Sequence, residues 1–377
     1  MRVGLVVSGG VDRSGRDIVP AYLWLIERLA RRHELHVFAL HYGATRDQYP
    51  LLGATVHDLG TRLVRPGWRR LVQRARLDRL LRTLPPFDLL HAWWGIPAGW
   101  VATSAGSRRI PVVVTASSGE FSDVPDIAYG LQRRWLDRYL LRRTFARAAA
   151  VTVPTLHMQQ LAERHGVVST IVPHGVPADH LSSERLRPGP PWRLIHVAHR
   201  NAVKDQATLL TAIAGVRARH PGTHLDIVGG DTLDGTIERQ AAALGLRDAV
   251  TFHGPVSHAT VRRLLATAHL HVLSSRHEAA GVAVLDAAAA GVPTVGTAVG
   301  YVADWAPAAA CAVPPGDPDA LSRAVCALLE HPAMWEHLSV AAHARAAAFS
   351  ADDMACAFEN IYHAVAARTR TPGSAMP

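Results

Sequence analysis

The chain has 377 residues, 49% of them apolar and 19% charged, with a net charge of +9. This length predicts two domains, and the balance of apolar and charged residues excludes a disordered chain. The three cysteines, Cys311, Cys326 and Cys356, have no CxxC spacing, which argues against a disulfide framework or a zinc site and for a reducing cytoplasm.

Residues 2–8 read as a first strand, followed by a loop opened by Gly9 and Gly10. The apolar run at the start is too short for a signal peptide. Residues 18–32 carry Ile18, Tyr22, Leu25, Ile26 and Leu29 at helical spacing, and 36–40 read as a second strand. Strand, glycine loop, helix, strand is a Rossmann-like opening, although GxGxxG is absent. Two basic helices are expected next. Residues 65–84 carry Arg65, Arg69, Arg70, Arg74, Arg76, Arg79 and Arg82, with Trp68, Leu71, Val72, Ala75 and Leu80 as the expected apolar side. Residues 131–147 interleave arginines with Trp135, Leu136, Tyr139 and Leu140. Residues 1–190 hold 26 Arg against 15 acidic residues, whereas 191–377 hold 14 cations against 16 acids, so the basic excess belongs to the first half. Such helices either present a solvated face over the first domain's core or rest on an anionic membrane, where each cation contributes about 1 kcal/mol. No nucleic-acid-binding module accompanies them, so nucleic acid is not an expected partner.

Residues 88–94 read as a strand containing His91, and 110–115 as another, followed by Ser117, Ser118, Gly119 and Glu120. Residues 149–154 and 169–173 are the last strands of the first domain. The stretch 182–192, SSERLRPGPPW, is the best linker in the chain.

A second Rossmann-like unit follows. Residues 192–198 are its first strand, 199–205 a loop reading HRNAVKD, and 203–219 contain its first helix. Strands are expected at 224–228 and 250–253, a helix at 237–245, and a turn at Gly254, Pro255 and Val256. Residues 268–273 read as a buried strand and 282–290 as a packed helix stopped by Gly291, Val292 and Pro293, with 293–297 the next strand. Glu278 therefore sits in a strand-to-helix turn, where open α/β sheets bind ligands. Gly281 lets a ligand approach the backbone, and the amides of the following helix attract an anion such as phosphate. Asp286 is the only charge in that helix. The weakly polar stretch 279–303 is broken by Asp286 and Pro293, so no membrane span is expected. His269 and His271 lack an evident third ligand. Asp317, Pro318 and Asp319 read as a helix cap with proline at the first helical position rather than a metal-binding DxD. Residues 350–368 form a last helix with Met354, Phe358, Ile361, Tyr362 and Val365 on one side, and the tail from 369 is expected to be disordered.

The run Glu278, Ala279, Ala280, Gly281 and then Asp286 resembles the acidic signature of the retaining glycosyltransferases of family four, whose form is Glu, seven residues, Glu, with an aromatic where Ala280 stands. The resemblance implies an α/β protein of GT-B architecture, two Rossmann-like domains with parallel sheets facing across a cleft. Residues 1–185 would be the acceptor domain, 192–348 the nucleotide-sugar donor domain, and 349–368 a helix crossing back to the first. It implies transfer of a hexose-type sugar from a nucleotide diphosphate sugar to an acceptor hydroxyl of a glycan, glycolipid or small alcohol. Substitution would be front-face, without a metal, a cofactor or a side-chain nucleophile. By the same resemblance Glu278 holds donor-sugar hydroxyls, Asp286 the ribose, and Lys204 the diphosphate. The family's arginine lies five residues before that lysine, where His199 stands; Arg200, one place later, would with Lys204 neutralise the leaving diphosphate as a catalytic residue. Gly10, Asn201, Ala279, Ala280, Gly281 and Val282 would line the donor. His91, Ser117 and Glu120 would lie on the acceptor side, Ser117 standing where the family has histidine. His174, Gly175 and Val176 match the family's turn before the linker. The implied location is the cytoplasm, with possible contact at the inner face of an anionic membrane. A nucleotide-sugar epimerase or hydrolase of the same fold, and a non-catalytic sugar-nucleotide or partner-binding module, stay open as alternatives.

Overall fold

A computed structural model of the chain describes residues 1–13, 19–41, 43–105, 110–182 and 189–370. The chain divides into two compact units, Met1–His174 together with the segment from Ala351, and Gly175–Ser350. Residues 175–182, assigned from the sequence to the first domain, thus group with the second. Val176 N donates to Phe349 O (2.9 Å) and Ser182 N to Ala289 O (2.8 Å). Ile18, the centre of the expected linker (183–188) and the tail beyond 370 lie outside the described residues.

The first unit runs β1 (Arg2–Val7), α1 (Pro20–Ala30), β2 (Glu34–Ala39), β3 (Asp47–Leu51), β4 (Ala54–Asp58), α2 (Pro66–Thr83) and β5 (Leu89–Trp93). It continues through α3 (Trp100–Ser104), β6 (Val112–Thr115), α4 (Trp135–Arg147), β7 (Ala150–Val153), α5 (Leu156–Arg164) and β8 (Thr170–Ile171). Its eight strands lie in the order β3-β4-β2-β1-β5-β6-β7-β8. All neighbours pair parallel except the edge strand β3, which is antiparallel to β4.

The second unit runs β9 (Arg193–Val197), α6 (Gln206–Arg219), β10 (His224–Val228), α7 (Thr236–Ala243), β11 (Val250–Gly254), α8 (His258–Leu265) and β12 (Leu270–Leu273). Then come α9 (Val282–Ala289), β13 (Thr294–Thr297), α10 (Gly300–Trp305), β14 (Cys311–Val313), α11 (Pro318–Glu330) and α12 (Pro332–Ala348). The sheet order is β11-β10-β9-β12-β13-β14, parallel throughout. A last helix, α13 (Ala351–Arg370), belongs to the first unit, where Arg28 of α1 and Arg32 just beyond it pair with its Asp352 (3.0 Å) and Glu359 (2.7 Å).

Strand alternation explains the layering, since successive side chains leave a strand on opposite faces. In β1, Val3, Leu5 and Val7 pack with Leu25, Ile26 and Leu29 of α1 and with Phe358 and Tyr362 of α13. Val6, between them, packs on the other face with Phe38, Leu90, Leu77 of α2 and Val101 of α3. In the second unit, Leu194 and Val272 meet α6 and α11, while Ile195 and Val228 meet Val261 of α8 and Ala287 of α9. Both faces of each sheet are covered, as parallel sheets require.

The basic helices differ from expectation. In α2 the buried residues are Gln73 and Leu77, while Trp68 is 63% exposed and Leu71 47%. Gln73 is held inside by Thr61 Oγ1 (3.1 Å) and Leu40 O (3.2 Å). In α4 the buried residues are Asp137, Leu141 and Thr144, while Trp135 is 72% exposed. Asp137 is buried against Arg70 of α2 (3.0 Å). Polar side chains, Gln73 on α2 and Asp137 on α4, thus share the inward places with Leu77 and Leu141, while Trp68, Trp135 and Tyr139 face out.

Candidate functional site

In the second sheet β9 is followed in sequence by β10 on one side, and β12 lies on its other side. The strand order reverses between β9 and β12, and such a reversal leaves a crevice beyond the carboxyl ends of the two strands. The loops leaving these two ends are 198–205 and 274–281.

Backbone and side-chain bonds stitch the two loops together. Asn201 Oδ1 accepts from Val203 N (3.1 Å) and Lys204 N (3.0 Å), folding the first loop on itself. Asp205, with φ +48°, caps α6 by accepting from Thr208 N (3.2 Å). Ser274 Oγ donates to Lys204 O (2.8 Å), and Arg276 N donates to Val203 O (2.7 Å). Two glycines fix the second loop. Gly281 opens α9 at φ +82°, a conformation that side chains with a Cβ rarely adopt. Gly300 has φ +52°, and a Cβ there would stand 2.4 Å from Ala280 O, which accepts from Tyr301 N (2.7 Å). Ala279 and Ala280 are buried beneath this contact.

The result is a short ion pair between Lys204 Nζ and Glu278 Oε1, reinforced by Ser275 Oγ donating to the same oxygen (2.7 Å). Burial by itself would raise the Glu278 carboxyl. The charge and hydrogen bond of Lys204, with the Ser275 hydroxyl, outweigh it and hold the group below its ordinary value. The Lys204 side chain keeps a quarter of its surface exposed. The pair is thus charged, partly desolvated and reachable. A phosphate can share the ammonium, and sugar hydroxyls can donate to the carboxylate.

Arg200 does not join it. Its guanidinium donates to Gly229 O (2.9 Å), pairs with Glu238 (3.2 Å) and Asp231 (3.6 Å), and lies over the Phe252 ring at 5.5 Å. At 5% exposure it is a buried brace between the β9 and β10 ends, so the catalytic phosphate role expected of it is withdrawn. Arg276, on the stitched second loop with its side chain a quarter exposed, is the further cation there. His199 accepts from Gly230 N (3.1 Å). Asp286 is buried on α9, and His258 Nε2 sits 3.1 Å from each of its carboxylate oxygens.

Two family models match the chain in succession: "Glycosyltransferase Family 4" over residues 23–180 and "Glycosyl transferases group 1" over 179–345. The chain belongs to the family-four glycosyltransferases. It is 27% identical over 332 residues to the glycogen synthase of Mycobacterium tuberculosis, covering 85% of this chain and 77% of that one. It is 28% identical to the GDP-mannose-dependent alpha-(1-6)-phosphatidylinositol monomannoside mannosyltransferase of Mycolicibacterium smegmatis, covering 72% and 74%. Among solved structures, Anabaena HepE in complex with UDP and glucose superposes with a TM-score of 0.73 at 15% identity, over 97% of this chain and all of that one. The architecture is GT-B, and the protein is an enzyme that transfers sugar from a nucleotide-sugar donor.

In this glycosyltransferase two of the three residues expected on the acceptor side, His91 and Glu120, are buried. His91 lies within β5, 1% exposed, with Nδ1 2.7 Å from Tyr362 Oη of α13 and Nε2 2.7 Å from Thr115 Oγ1. Burial pushes it down to about 3. Glu120 is fully buried and accepts from the amides of Gly95 (2.9 Å) and Ser118 (2.7 Å). Burial raises its carboxyl against the lowering by those amides. Ser117 Oγ accepts from Trp93 Nε1 (2.7 Å). His91 and Glu120 hold the first unit together, and neither is presented to a ligand. Gly10, at φ +86° after β1, accepts from Val19 N (3.0 Å), and a Cβ there would strike Val19. The adjoining residues 14–18 lie outside the described residues.

The remaining sequence readings concern metals. Asp317 Oδ1 accepts from Ala320 N (2.8 Å), a helix cap. His269 Nδ1 accepts from Arg193 N (3.0 Å), and His271 is buried beside Thr294 Oγ1 (3.2 Å). The sequence reading missed Ser275, Arg276, His258 and His180. Ser275 and Arg276 could have been found from their place beside Glu278. The two histidines carry no spacing signal.

Proposed function

We propose that this enzyme is a retaining transferase that binds a nucleotide diphosphate sugar at the carboxyl ends of β9 and β12 and passes its sugar to an acceptor hydroxyl. The observation that carries the reading is the Lys204–Glu278 pair across the stitched loops. Lys204 would neutralise the diphosphate as the bond to the sugar breaks and negative charge grows on the leaving oxygen. Arg276, two residues before Glu278 and paired with Asp205 (3.8 Å), would add to that field. Glu278 would accept hydrogen bonds from donor-sugar hydroxyls and fix the ring, with Ala279, Ala280, Gly281 and Val282 as the backbone wall and Asn201 holding the lysine loop in shape. Asp286 would take the ribose hydroxyls. Each partner satisfies the other's charge while the donor is away, which limits the cost of holding a buried carboxylate and a partly buried ammonium ready.

A thermal-shift screen of nucleotide sugars, followed by NMR of the product anomer, tests this. A nucleotide sugar that stabilises the protein and a product of unchanged anomeric configuration are expected. An inverted product would overturn the retaining assignment. Consumption of donor in the absence of any acceptor would favour the epimerase or hydrolase reading.

The first unit adds a reading of the acceptor. Trp68 and Leu71 of α2 and Trp135, Leu136 and Tyr139 of α4 are exposed among Arg65, Arg74, Arg138 and Arg142. The Arg70–Asp137 bond joins the two helices. Exposed aromatics set among arginines suit an anionic bilayer surface, which favours a lipid-linked acceptor. No described helix is long and apolar enough to cross a membrane. Co-sedimentation with anionic vesicles, absent with neutral ones, is the expected result, and equal partitioning to both would sink this reading.

A further inference from the structure

A second cluster lies in the same unit as the donor loops. His180 ends the short 3-10 turn Ala178–His180, His258 is the first residue of α8, and Asp286 lies on α9. One ligating atom from each lies within 4.8 Å of the others, the one such grouping of three found among the described residues. The His180 and His258 rings sit 5.3 Å apart.

We propose that His180, His258 and Asp286 form a binding site for a transition-metal dication of the zinc class. The first argument is geometric. Zinc holds imidazole nitrogen and carboxylate oxygen at about 2.0–2.2 Å, so neighbouring donors in its tetrahedron stand about 3.3 Å apart. His258 Nε2 and the Asp286 oxygens stand 3.1 Å apart in a hydrogen-bonded contact, close enough for an ion to replace the shared proton. The His180 donor lies within 4.8 Å of the other two and must move closer as the ion binds.

The second argument is the anchoring of the turn that carries His180. Arg262 of α8 donates to Asp179 O (2.9 Å), tying the turn to the helix of His258. Ser182 N donates to Ala289 O (2.8 Å), tying its far side to the helix of Asp286. The segment is pinned on both sides to the elements that hold the other two ligands. Sites preorganised in this way lose little freedom when the ion arrives.

Electrostatics agree with the donor set. Burial lowers His180, with the nearby Arg262 charge acting in the same sense, and this favours its neutral imidazole. Neutral imidazole is the form that ligates metal. Two nitrogens and one carboxylate select zinc, cobalt or nickel over magnesium and calcium, which take oxygen donors. Three protein ligands leave a fourth position for water.

The site shares Asp286 with the donor reading, so it is tested on the intact protein with no nucleotide present. Co2+ serves as a coloured probe and Zn2+ as competitor. One equivalent of Co2+ with visible d–d absorption, displaced by Zn2+, is expected. His180→Ala and His258→Ala should each weaken binding at least tenfold. His36→Ala should leave binding unchanged, as a control among the 22 histidines of the chain. Zn2+ should also raise the melting temperature of the parent protein and not of the two variants, whose metal-free melts report folding. Absence of protein-bound Co2+ absorption would overturn the site. So would an affinity that survives both His180→Ala and His258→Ala, or one that falls equally in His36→Ala.

Discussion

The two units use one architecture and end differently. Each has a sheet that is parallel apart from the edge strand β3 of the first, and each reverses direction of strand order at a central pair, β1 and β5 in the first and β9 and β12 in the second. In the second unit the polar residues near the reversal stand well past the strand ends. Lys204 lies beyond Val197, where β9 stops, and Glu278 beyond Leu273, where β12 stops. In the first unit His91 lies inside β5 itself and faces α13. Glu120 lies past β6 but turns back to bind two loop amides. A side chain within a strand must enter one of the two cores, because both faces of the sheet are covered. Only a residue in the loop beyond can meet a ligand, and then only if its own loop does not consume it.

The sharpest way to break this contrast is to remove Glu278. Glu278→Ala should lower kcat by about 10²–10³, the usual loss when one electrostatic contact to the transition state is deleted. The metal-free melting temperature should move little, because Lys204 keeps solvent contact and is not stranded as a buried ion. Near-normal turnover in that variant would refute the assignment. Lys204→Ala comes next. Loss of one charge-assisted hydrogen bond, about 1.5–3 kcal/mol, should weaken nucleoside diphosphate binding roughly 10–100-fold by calorimetry. As the sole lysine, it leaves no neighbouring ammonium to compensate.

The sequence made the fold legible because each strand–helix step has its own period and stop signal. The GVP stop after α9 and the proline opening α11 are examples. Glu278 was legible as the acid of a strand-to-helix turn and Lys204 through its loop's resemblance to the family's, and the structure brings the two side chains together. Arg200 was misread because one residue decides whether a loop cation points outward or inward. At position 200 the backbone pairs with Asp231, and the side chain follows it into the β10 side. The α2 and α4 faces were misread because Gln73 and Asp137 supply the buried positions. Apolar periodicity gives no hint that a glutamine or an aspartate will be the residue turned inside.

The inward set can be tested from the other side. His91→Leu should leave transfer by the folded enzyme intact while costing about 1–3 kcal/mol, because Tyr362 Oη loses its buried partner. It should also change the acid response. Burial holds His91 at about 3, against 6.5 when free. Between these values the unfolded chain binds a proton that the folded one refuses, so stability falls as pH drops below 6.5. The expected slope is about 1.4 kcal/mol per pH unit for each such histidine. His174 and His196, pushed to about 4, and His271, to about 3, add to it. Urea melts at pH 7 and pH 5 should therefore differ by one histidine's share less in His91→Leu than in the parent. An unchanged difference would mean that His91 is protonated in the folded state, and hence nearer to solvent than its place in β5 allows.

The smallest effect on the folded protein should come from the outward aromatics. Trp68 and Trp135 are mostly solvent-exposed, so replacing each by alanine should shift stability by no more than about 0.5 kcal/mol. Turnover of a small water-soluble acceptor should be untouched, since neither residue lies in the donor unit. Partition to anionic vesicles is where the loss should be seen. The double variant should sediment several-fold less with anionic vesicles at low salt, and raising the salt should weaken the parent as its arginines are screened. Full vesicle binding by the double variant would leave only the arginines to explain it and would remove the aromatics from the membrane face.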